Sequence, residues 1–93
     1  MDAQTFDDVF DALADSPGEA ANLKARADLL EAIARRVRSW NLPQEVAARR
    51  LGVTRPRLND LLRGKIDKFS LDALVNLANG AGLTVAITVA DAA

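Results

Sequence analysis

Thr54, Arg55, Pro56, Arg57, Asn59 and Asp60 concentrate polar chemistry in one short segment. A guanidinium is a planar fork of N–H donors that meets paired acceptors two at a time. A carboxamide sets a donor beside an acceptor. Leu58 and Leu61 interrupt the run at helical spacing, so the polar groups fall on an outward face. Arg63 and Lys65 follow, two more cations suited to phosphate. None of this is the equipment of an enzyme. The chain has no Cys and no His, which leaves no disulfide, no Cys/His zinc site and no ordinary nucleophile–base pair. Asp60 and Asp67 flank basic residues and read as ion-pair or capping groups rather than acids for catalysis. No catalytic residue, metal site or cofactor is expected.

Those groups need a rigid support. Gln44 to about Leu51 has a short helical pattern with Val46, Ala47, Ala48 and Leu51 apolar. Gly52 then stands where a left-handed residue ends a helix. Thr54 is a good N-cap for a second helix, from about Arg55 to Arg63. Pro56 falls in that helix's first turn, where its missing N–H has no partner to lose. Ala48 lets the two helices approach, while Val53, Leu58 and Leu61 anchor the second. The pattern is a helix-turn-helix over about residues 44–63. A recognition helix enters a DNA major groove by its N-terminal end. Arg55 or Arg57 suits guanine O6 and N7 or a phosphate, and Asn59 suits adenine. Gln44 opens the first helix, where free backbone N–H groups can meet a phosphate.

The rest of the chain frames this unit. Ninety-three residues make one small domain, whose limited core gains from a dimer interface. Charge is segregated. Residues 1–21 carry six acids and no Lys or Arg, and residues 22–68 carry all twelve Lys and Arg against five acids. Such asymmetry points to partners of opposite sign, or more simply to solvated helix faces. No stretch is long and apolar enough to span a membrane, and a cytoplasmic location is expected.

Phe6, Val9, Phe10 and Leu13 form an apolar stripe on a short acidic helix in residues 1–15. It docks either on its own core or on a partner. Ser16, Pro17 and Glu19 start a long helix with a capping box. Leu23, Ala27, Leu30, Ile33, Ala34 and Val37 are its buried face, and Trp40 is a core residue at its end. Ser70 caps a further helix, about Leu71 to Asn79, with Leu71, Leu74, Val75 and Ala78 buried. The helical domain thus covers residues 16–82. Leu83 to Ala90 then alternates, with Leu83, Val85, Ile87 and Val89 on one face, as a β-strand does. One strand cannot satisfy its own backbone, so it asks for a copy of itself. The expected fold is mainly α, with one C-terminal strand pairing across a homodimer.

The spacing from Gln44 through Ala48, Leu51, Gly52, Val53 and Thr54, with Leu58, Leu61, Arg63, Gly64 and Lys65, resembles the XRE helix-turn-helix of phage repressors. The run "RPRLNDLLRGKIDKFSLDALVNLANGAGLTV" is similar to small antitoxins of HigA type. That resemblance implies a homodimer that binds a palindromic operator and neutralises a RelE-like ribonuclease toxin. It matches Thr54, Arg55, Pro56, Asn59 and Asp60 to outward recognition positions and Gln44 to the phosphate-contacting Gln. Phe6, Val9, Phe10 and Leu13 become candidate toxin contacts. The alternatives are a stand-alone XRE regulator without a toxin and a protein-binding adaptor on the same fold.

Overall fold

The computed structural model describes residues 16–92, so the Phe6, Val9, Phe10 and Leu13 stripe lies outside the described residues. Among the described residues, four α-helices and one 3-10 turn account for the regular structure: α1 (Pro17–Ser39), α2 (Gln44–Leu51), α3 (Arg55–Leu62), the 3-10 turn (Ile66–Lys68) and α4 (Leu71–Gly80).

Local side chains start three of the four helices. Ser16 Oγ accepts from the Glu19 N–H at 3.1 Å, Thr54 Oγ1 from Arg57 at 3.3 Å, and Ser70 Oγ from Ala73 at 3.1 Å. Pro17 and Pro56 sit in the first turns of α1 and α3. No side-chain hydrogen bond caps α2, whose N-terminus follows Pro43.

The turn between α2 and α3 is fixed by backbone alone. Gly52 takes φ 87°, a left-handed value that costs a side-chain-bearing residue more. Its N–H donates to Arg49 O at 3.2 Å, and the Val53 N–H reaches back to Ala48 O at 2.9 Å. This is the Schellman pattern, and it recurs where α3 and α4 end at Gly64 and Gly82. α1 stops differently, at Asn41, whose φ is 57°.

Phe69, Ile33, Leu58, Leu61 and Leu74 are the large side chains sealed at the centre. Leu23, Leu30, Ala34 and Val37 of α1 are buried as the sequence predicts, with Ala27 half-buried. In α2 Ala47, Ala48 and Leu51 are buried, but Val46 is exposed. In α4 the buried positions are Leu74, Leu77 and Ala78, with Leu71 and Val75 half-buried. Trp40 is half-buried against the core rather than inside it, with the Arg50 guanidinium 4.2 Å from its ring centroid.

The expected C-terminal strand is not formed. No strand occurs among the described residues, and the segment after Gly82 has no regular structure. The reason is physical: a strand is defined by a ladder to a second backbone, and the described residues supply none. Leu83 and Val85 pack against the core, whereas Ile87 is 80% exposed and Val89 88%. Only half of the predicted apolar face therefore finds cover within the chain.

Candidate nucleic-acid interface

α2 and α3 meet at the Gly52 turn as the two arms of a helix-turn-helix, with Ala47 and Ala48 buried at the approach and Leu58 and Leu61 anchoring α3. At the start of α3, Thr54, Arg55 and Pro56 are exposed. Arg55 makes no hydrogen bond or ion pair among the described residues, and neither does the half-buried Asn59 side chain one turn later. Gln44 stands half-buried at the start of α2, where no side chain covers the first-turn N–H groups. Arg63, at the end of α3, is exposed and makes no ion pair or hydrogen bond through its side chain among the described residues.

Four of the nine residues expected at DNA, Thr54, Arg57, Asp60 and Lys65, have side-chain partners within the domain, Thr54 as the cap of α3. Arg57 Nη1 donates to Lys68 O at 3.2 Å, and its guanidinium carbon lies 4.3 Å from the Phe69 ring centroid. Asp60 pairs with both Lys65 and Lys68 at 3.5 Å. The ion-pair role expected of Asp60 is therefore what the geometry has. The outer edge of α3 is tied to residues 65–69 through Arg57 and Asp60, and the Thr54 hydroxyl is engaged in capping the helix, while Arg55, Asn59 and Arg63 make no side-chain hydrogen bond or ion pair among the described residues.

Sequence reasoning missed how α1 is used. Its arginines look like surface charge, yet three of them bind backbone carbonyls of other elements. Arg26 Nη1 donates to Ile66 O at 3.3 Å and Phe69 O at 3.2 Å. Arg36 Nη1 donates to Ala81 O at 3.0 Å and Gly82 O at 3.3 Å, at the end of α4. Arg38 Nη2 donates to Leu62 O at 2.8 Å, at the end of α3. Charged donors suit carbonyls left orphaned at helix C-termini. These partners are 24 to 46 residues distant, beyond the reach of any periodicity.

The class that this fold and surface define is a helix-turn-helix domain. Residues 12–90 match a protein family described as "Helix-turn-helix domain", and the chain belongs to that family. The match supports a DNA-binding regulator. No curated protein matches the chain. No helix among the described residues is long and apolar enough to cross a membrane.

Proposed function

We propose that this chain is a non-enzymatic, sequence-specific repressor that binds a palindromic operator as a homodimer. The observation that carries the reading is the first turn of α3. It presents Arg55 with no hydrogen bond or ion pair among the described residues, with Asn59 one turn on; Gln44, at the uncovered N-terminus of α2, lies near Leu58 and Leu62 further along α3. Arg55 grips guanine or a phosphate, Asn59 pairs with adenine, and Gln44 brings a phosphate to the α2 amides. The exposure of Ile87 and Val89 supports pairing of residues 83–90 with a second copy, which would satisfy both backbones and cover both apolar faces. Two recognition helices on a two-fold axis then read half-sites about 34 Å apart.

Within this class we favour an autoregulating cytoplasmic antitoxin of XRE and HigA type, for which the resemblance of about residues 23–89 is the support. Its partner is a RelE-like ribonuclease encoded beside it, and the Phe6, Val9, Phe10 and Leu13 stripe is its candidate contact.

Titrating the chain onto DNA from upstream of its own gene, at several salt concentrations, tests the DNA reading. A steep fall of affinity with salt is expected, because neutralised phosphates release counterions. Flat salt dependence or no binding sinks it. Changing Val85 and Ile87 to Asp should leave a monomer by light scattering; a mass that stays dimeric removes the strand pairing. Co-expression with the neighbouring reading frame tests the antitoxin. If that frame is not toxic alone, the stand-alone regulator stands instead.

A further inference from the structure

We infer that Arg57 is a positioning residue, which holds α3 at the angle that DNA reading needs and makes no contact with DNA itself. The inference rests on the DNA-binding reading above and departs from the placement of Arg57 among the contacts. Its guanidinium lies 4.3 Å from the Phe69 ring centroid and donates to Lys68 O at 3.2 Å. Turning toward a base or a phosphate would forfeit both interactions. Phe69 is itself held: the residue is 1% exposed in the core, and its carbonyl accepts from Arg26 of α1 at 3.2 Å. Arg57 therefore joins α3 to a turn that α1 already fixes. One turn further along, Asp60 continues the seam through Lys65 and Lys68.

This seam runs along one edge of a helix of eight residues, too short to set its own direction in isolation. It restrains the roll of α3 about its axis, and that roll decides where Arg55 and Asn59 point. A lysine at position 57 would keep the charge but not the planar face that lies on the ring.

The test compares wild type with Arg57→Ala, Arg57→Lys and Phe69→Leu on DNA arrays at two salt concentrations, well below each variant's Tm. Both Arg57 variants should lose about threefold to thirtyfold in affinity for all sequences alike, the range by which one cation–π contact shifts a two-state equilibrium. Their salt slopes should match wild type. Arg57→Lys should not rescue, and adding Phe69→Leu to it should cost less than Phe69→Leu costs alone.

A slope lower by about one in Arg57→Ala, with affinity restored in Arg57→Lys, would make Arg57 a phosphate contact and overturn the inference. Lost preference at a single base pair would make it a base reader and overturn the inference equally. A lowered Tm with unchanged affinity would reduce it to a stabilising contact and also overturn it. Wild-type protein that shows no salt-dependent binding overturns the DNA reading itself. Circular dichroism checks folding, and if Arg57→Ala does not fold, Arg57→Lys decides alone.

Discussion

The arginines of α1 and those of α3 have the same charge and opposite fates. Arg26, Arg36 and Arg38 on α1 all end on backbone carbonyls of other elements. Arg55 and Arg63, which begin and follow α3, end on nothing within the described residues. Arg57 stands between the two cases, because it lies on α3 yet behaves like an α1 arginine. Counting basic residues therefore overstates the surface offered to a polyanion. Part of the positive charge of residues 22–68 is internal mortar, and in the proposed reading only the part left over faces DNA.

The largest effect should come from removing mortar. Arg26→Ala deletes the clasp on Ile66 O and Phe69 O, both part-buried, and leaves two carbonyls without that donor. Hydrogen bonds from charged donors contribute about 1.5–3 kcal/mol. Arg26→Ala should therefore destabilise the domain by about 2 kcal/mol and lower its Tm by roughly 10 °C. Calorimetry checks this. Salt slope and base preference, measured well below the Tm, should stay at wild-type values. A variant of unchanged Tm with a reduced salt slope would place Arg26 with the DNA-facing arginines and break the comparison.

The face should show the reverse signature. Arg55→Ala and Asn59→Ala remove side chains with no partner among the described residues, so stability should move by no more than about 0.5 kcal/mol. Binding should lose about 1–3 kcal/mol for the preferred base at one position per half-site if each makes a good bidentate contact. Binding arrays read this directly. Uniform loss across all sequences would show that these residues touch only phosphates.

What was legible in the sequence follows the distance over which each device acts. The caps at Ser16, Thr54 and Ser70 join residues three apart, and the Gly52 turn closes within six. The helix order, the position of Pro56 in its first turn and most of the core follow from such local signals. Arg55 and Asn59 are legible for the same reason, since outward placement on a helix is a matter of local period. Arg57 has that period as well, yet its partners within the domain are Lys68 and Phe69, brought near only by the fold. The Arg26 clasp spans 40 and 43 residues and leaves no trace in composition or spacing. The strand of residues 83–90 is a different case. Its alternation is plain, but no partner backbone stands beside it among the described residues, so alternation alone could not decide its structure.

The finest discrimination comes at the C-terminal end of α3, where two arginines lie on either side of the distinction. Arg38 donates to Leu62 O at 2.8 Å, while Arg63, the residue after Leu62, is exposed and its side chain is unpaired among the described residues. Each alanine variant deletes one positive charge from the same neighbourhood, so net charge and long-range field change equally. The two should nonetheless differ. Arg63→Ala should weaken all DNA sequences alike and lower the salt slope by about one, as expected when a single phosphate is no longer neutralised. Arg38→Ala should change the slope little and cost about 1 kcal/mol of folding stability, the lower range for an exposed charged donor on a helix-end carbonyl. Measuring both slopes in one salt series, with both Tm values beside them, settles which arginine is which. Equal slopes would mean that the polyanion senses only total charge, and that the division between mortar and face has no bearing on binding at this end of the helix.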